Sequence, residues 1–186
     1  MPANRNNLDR VALMAELVRR APKPPGRTAL MKLAYFLRTL RSVPLAYDFR
    51  LYTYGPFDSD VLDDLQYAEA LGAVRSEVIP YPGGKVYQYR AGSRVEEITD
   101  YAEAFLSRHG ESIEWVLTKF GSRSALDLEM ASTLVFVDRA TLEKGAKQEM
   151  AELARKVQAV KPYLSRGAIE REARALEEEG LLAALA

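Results

Sequence analysis

The chain has 186 residues, 48% of them hydrophobic, with 26 basic and 26 acidic side chains. Its charge is uneven, because residues 1–50 hold ten Arg or Lys against Asp9, Glu16 and Asp48 alone. That length buries roughly two-thirds of the unfolded surface, and the absence of Cys with a single His, His109, excludes disulfides, thiolate catalysis, cysteine metal sites and two-histidine mechanisms.

The start, Met1-Pro2-Ala3-Asn4-Arg5-Asn6, is polar, and no apolar run approaches the roughly 20 residues of a membrane helix. The expectation is a cytoplasmic protein with no membrane partner. Asn7 reads as the cap of a first helix near 8–20, with Leu8, Val11, Ala12, Ala15 and Val18 at helical spacing. Pro22-Lys23-Pro24-Pro25-Gly26 stops it. Thr28 is read as the cap of a second helix with a buried stripe of Leu30, Leu33, Ala34, Leu37 and Leu40, which Pro44 ends. Residues 47–54 alternate aromatic or apolar with polar and predict a strand, turned by Gly55-Pro56.

Asp58 or Ser59 caps a third helix, with Val61, Leu62, Leu65, Ala68 and Leu71 inward and Gly72 as its stop. Strands at 74–80 and 85–90 flank Tyr81-Pro82-Gly83-Gly84, a hairpin loop. Ser93 and Glu96 have capping-box spacing and predict a helix running to His109, followed by one at 111–120. Ser124 and Asp127 repeat the pattern ahead of Leu128, Ala131 and Val135, with helix favoured over strand for Thr133 to Val137. A charged helix over 141–160 and a last one capped by Ser165 and stopped by Gly180 complete the chain.

The fold expected is α+β and mostly helical. A winged-helix-like part, 1–92, places helices on a small sheet of the 47–54 strand and the 74–90 hairpin, and a helical region, 93–186, packs on it. The thin apolar stripes of the last two helices predict a homodimer.

Leu30-Met31-Lys32-Leu33-Ala34-Tyr35-Phe36, Tyr52-Thr53-Tyr54-Gly55-Pro56-Phe57 and the acidic helix ending Leu71-Gly72 resemble the YwgA-type uncharacterised prokaryotic proteins. Leu128-Glu129-Met130-Ala131-Ser132-Thr133, Val160-Lys161-Pro162 and Ser165 to Leu182 are similar to the C-terminal part of that type. More loosely, a Lys-Leu-x-Tyr helix before a Tyr-Gly-Pro turn resembles the Panacea (SocA-like) antitoxin domain. That resemblance implies an antitoxin or adaptor that binds a protein, a toxin or a regulator, without an established catalytic site.

Two surfaces follow from the residues. Tyr52, Tyr54, Gly55, Pro56 and Phe57 form an aromatic turn, readable as a packing corner or as a partner-binding patch. Arg19, Arg20, Lys23, Arg27, Lys32, Arg38 and Arg41 form a basic surface for an acidic protein or for DNA, with solvated helix faces as the plainer account. Asp58, Asp60, Asp63, Asp64 and Glu69 on the third helix disfavour groove reading by that helix. A hydrolytic metal site at Asp60, Asp63 and Asp64 is the remote alternative to a solvated acidic face. No Walker loop, dinucleotide fingerprint or metalloprotease motif is present, so no catalytic residue and no cofactor is expected.

Overall fold

The computed structural model describes residues 5–185, and the stretch Met1 to Asn4 lies outside them. In chain order its elements are α1 (Arg5–Arg20), α2 (Arg27–Arg41), β1 (Arg50–Tyr52), β2 (Gly55–Phe57), α3 (Ser59–Ala70), β3 (Val74–Tyr81) and β4 (Gly84–Ala91). Then come α4 (Val95–Tyr101), α5 (Glu103–Arg108), α6 (Gly110–Phe120), α7 (Ala125–Glu143), α8 (Met150–Val160) and α9 (Arg166–Glu178). The architecture is mostly helical α+β. The chain divides into two compact units, the first running up to 49 and then over 58–123, the second taking 50–57 and 124 onward. The expected boundary at 92 falls inside the first unit, because α4 packs back on α1.

In the first unit α1 and α2 bury long stripes, Val11 to Val18 and Leu30 to Leu37. Phe36 stacks on Phe120 of α6 at 4.0 Å between ring centroids, tying α2 to α6. Asp58 caps α3 by accepting the Asp60 amide, as expected. Three of the other expected caps are absent. α1 already runs through Asn7, and α2 starts after Gly26 with Thr28 inside its first turn. Ser93 caps nothing either, since Gly92 and Arg94 donate their amides to Ala73 and Gly72 and α4 begins at Val95. The helix expected to reach His109 breaks at Ala102 into α4 and α5.

The expected strand over 47–54 and the single sheet are corrected. Val43, Leu45, Tyr47 and Phe49 are buried and their neighbours exposed, so the alternation is real, but 42–49 has no ladder partner. Only Arg50–Tyr52 pairs, antiparallel, with Gly55–Phe57, whereas β3 and β4 make a separate two-stranded sheet in register from Val74↔Ala91 to Tyr81↔Gly84. The helix α3 runs directly into this longer hairpin, while the strands β1 and β2 fall after α2, a departure from the usual winged-helix order.

In the second unit α7, α8 and α9 pack on one another, and β2 lies on α7. Ser124 and Ser165 cap α7 and α9 as expected, accepting the amides of Asp127 and Ala168. Thr133 to Val137 is helix, and the helix expected over 141–160 begins only at Met150. Gly145, at φ 68, reverses the chain after α7, a conformation that costs glycine little. Of the stripes that predicted a dimer, Leu153 and Val157 on α8 and Ile169, Ala173 and Leu176 on α9 are buried within this unit, whereas Leu142 and Ala146 are exposed and Met150 is half-buried.

Candidate functional site

The aromatic turn is the hairpin β1–β2 of the second unit, and its reversal lies two residues earlier than expected. Thr53 and Tyr54 occupy the turn, and Gly55 and Pro56 begin β2. Among the described residues only Ser42 is a non-glycine with positive φ, so Gly55, at φ 87, supplies the left-handed step that completes the turn. Space also demands glycine there. A Cβ on Gly55 would lie 3.1 Å from Thr133 Oγ1 and 3.2 Å from Ser132 Oγ on α7.

Beneath the turn is a buried ion pair that the residues alone did not disclose. Lys161, 1% exposed, sits 2.8 Å from Glu129 Oε1 of α7, and its ammonium donates to the carbonyls of Tyr52, at 3.2 Å, and Thr53. Tyr163 Oη donates to the same Glu129 oxygen. Burial, followed by that carboxylate, pushes the Tyr163 phenol well above its ordinary value. An ammonium has three donors, and Lys161 spends them on one carboxylate and two carbonyls. The pair is therefore consumed in holding backbone. What faces outward is aromatic, since Tyr52 is 65%, Tyr54 67% and Tyr163 57% exposed. Phe57 is half-buried with its ring 5.5 Å from that of Tyr52, and Gly55 and Pro56 are buried.

The expected basic surface of the first unit is largely committed to internal partners. Arg19 pairs with Glu16 at 2.7 Å, Arg20 with Glu16 and Glu114, and Lys23 donates to the Ser122 carbonyl at 2.8 Å. Arg27 donates to Tyr89 Oη at 3.0 Å and lies over the Tyr87 ring. Lys32 is buried within the α2 stripe. Arg38 and Arg41, in the last turn of α2, are exposed. Arg41 and Lys119 of α6 both lie over the Trp115 ring, at 5.1 and 5.5 Å, a grouping that the sequence reading missed.

The acidic cluster does not converge. Asp64 points inward, because 61, 64, 65 and 68 share one face of α3. It accepts from Tyr47 Oη at 2.8 Å and lies 2.8 Å from Arg10 Nε, while Asp60 and Asp63 stay exposed. Burial pushes the Asp64 carboxyl up, against the pull of Tyr47 and Arg10. Among the described residues no group of three or more His, Asp or Glu could hold a metal ion. His109 stands between α5 and α6 with its ring 4.7 Å from Phe105, and burial with Arg108 lowers its pKa. No helix among the described residues is long and apolar enough to cross a membrane. No family model matches the chain, and neither does any curated protein.

Proposed function

We propose that the protein is a non-catalytic adaptor that works by binding another protein, a toxin or a regulator, as the antitoxin domains it resembles do. The observation that carries this reading is the anchored hairpin, three tyrosines more than half exposed around a backbone clamped by Lys161. Tyrosine presents a large contact area through few rotatable bonds, and aromatic side chains dominate interface hot spots. A backbone already fixed before binding has less entropy to lose on association. The ion pair below is scaffold in this reading, with no role in proton transfer.

Duplex reading by α3, the helix that precedes the β3–β4 hairpin, is disfavoured. Its outward Asp60 and Asp63 would repel phosphate, and Asp64 is engaged by Arg10 and Tyr47. We place the adaptor in the cytoplasm.

Affinity capture from native lysate with wild type and with Tyr52→Ser/Tyr54→Ser tests the reading, thermal unfolding confirming that both are folded. A protein retained by wild type and lost by the variant is the expected result. Equal retention by both removes the hairpin from the interface, and no retained protein overturns the adaptor.

A further inference from the structure

We propose that the end of α7 and the loop after it form a groove for an extended peptide segment of a partner protein, which residues 181–185 of this chain fill when the partner is absent. The groove lies in the second unit and shares no residue with the tyrosine hairpin. At its floor is Asp138 of α7, 0% exposed and paired with Arg139. One of its carboxylate oxygens accepts the Ala183 amide at 2.8 Å, and the other accepts the Ala184 amide at 2.9 Å. Arg139 donates to the Leu181 carbonyl at 3.1 Å, and the Lys147 ammonium to the carbonyls of Ala183, at 3.0 Å, and Leu185, at 3.4 Å. The Gln148 amide donates to the Ala184 carbonyl at 2.9 Å, beside a parallel bridge between Gln148 and Leu185.

All of these contacts are made to main chain. The side chains of the segment alternate, with Leu182 and Ala184 buried and Ala183 exposed. Main-chain hydrogen bonds with pockets for alternate side chains are how a strand edge takes up an extended peptide. The chemistry recognised is therefore two consecutive free amides, one apolar residue and, two positions on, one small residue. Any extended segment with that pattern meets the same groups. The present occupant also fits imperfectly. Gln148 is 5% exposed, and its Nε2 has no hydrogen-bond partner among the described residues. Its Oε1 accepts from Lys156, and Leu185 across the bridge offers no side-chain acceptor. A buried donor left unpaired costs free energy, so a segment with an acceptor side chain at that position satisfies the groove better than 181–185 does. Gly180, at φ 69 and with nothing within 4 Å of where a Cβ would stand, joins the segment to α9. That joint lets the segment leave while α9 stays in place.

The test is fluorescence anisotropy of a labelled peptide with the sequence of residues 180–185, Gly-Leu-Leu-Ala-Ala-Leu. The proteins are the full-length wild type, Leu182→Asp/Ala184→Asp, which expels the segment, and the milder Ala184→Leu, which overfills its pocket. Thermal unfolding checks that each is folded. Occupation by the chain's own segment lowers apparent affinity by the fraction of molecules that are open, so both opened variants should bind at least about tenfold more tightly than wild type. Adding Asp138→Asn should reverse about tenfold of that gain, because asparagine offers one acceptor oxygen in place of two. A peptide with N-methylalanine at the positions of Ala183 and Ala184 lacks both amides and should not bind. Folded opened variants that bind no better than wild type, equal binding of the N-methylated peptide, or unfolding of both opened variants overturns the proposal. So does a wild-type dimer in sedimentation that Ala184→Leu abolishes, since the groove would then belong to the segment of a second copy.

Discussion

The two hairpins of this chain teach opposite lessons about what makes a β-ribbon rigid. β3–β4 has eight residues in each strand and an unbroken register, yet its distal Val78, Ile79, Val86 and Tyr87 are exposed. Outside the ladder, Arg27 lies over the Tyr87 ring, and toward the other end the Tyr89 amide donates to the Pro25 carbonyl and Glu69 accepts from Ser76. β1–β2 has three residues in each strand, a size that is marginal alone. It is held from below by Lys161, whose ammonium takes two of its carbonyls, and by Gly55 resting against Ser132 and Thr133. Anchoring by side chains, more than strand length, determines which hairpin can present a fixed surface.

The most severe way to break the contrast is Lys161→Met. It leaves Glu129 charged and buried, and the Tyr52 and Thr53 carbonyls lose their donor. Removing one member of a buried pair costs about 3–5 kcal/mol, so urea unfolding should show a loss of that order. Adding Glu129→Leu should recover much of it, because two apolar residues replace an ion pair with little penalty. A loss below about 1 kcal/mol for the single variant would sink the anchor. Gly55→Ala comes next. It forces alanine to φ 87 and drives its Cβ toward Thr133 Oγ1, for about 1–3 kcal/mol by the same measurement.

On the longer hairpin the effects should be smaller. Tyr89→Phe removes the acceptor of the Arg27 hydrogen bond and should cost about 0.5–1.5 kcal/mol. Val78→Thr with Val86→Thr, both at exposed positions, should stay within about 0.5 kcal/mol. A larger loss there would mean that the distal strands are held by packing that their exposure does not reveal.

Local signals carried much of this fold. The Asp58, Ser124 and Ser165 caps, the β3–β4 turn and the apolar stripes all lie within a few residues of what they control. The hidden parts are long-range. Lys161, between Val160 and Pro162 at a helix end, reads as a solvated lysine, and nothing near it points to Glu129. Lys32, by contrast, stands between Met31 and Leu33 inside an apolar stripe, and strict counting places Asp64 with Val61, Leu65 and Ala68. Those two burials are legible from spacing, although a charged side chain ordinarily signals exposure. Trp115 and Lys119 are four apart on one helix and could have been paired from spacing alone, but Arg41 reaches that ring only through tertiary packing.

The subtlest difference lies in the alkaline range, where the anchored hairpin should resist ionisation. Tyr163 is held protonated by the burial of its hydroxyl and by the Glu129 carboxylate that accepts its hydrogen bond. Its folded pKa therefore lies above the ordinary tyrosine value of about 10. Below that pH both folded and unfolded chains keep the proton, and the group adds nothing to the pH dependence. Above it the unfolded chain releases the proton first, so stability falls as pH rises toward the folded value. Tyr47 in the first unit acts in the same direction, through burial and then Asp64. Solvent around the half-exposed Tyr163 ring keeps its effect small. Phenolate absorbance of wild type minus Tyr163→Phe isolates the group, and the difference should appear only beyond the range in which exposed tyrosines ionise. A difference centred near 10 would mean that Glu129 does not hold the Tyr163 hydroxyl, leaving Lys161 and the packing of Gly55 on α7 to anchor the hairpin.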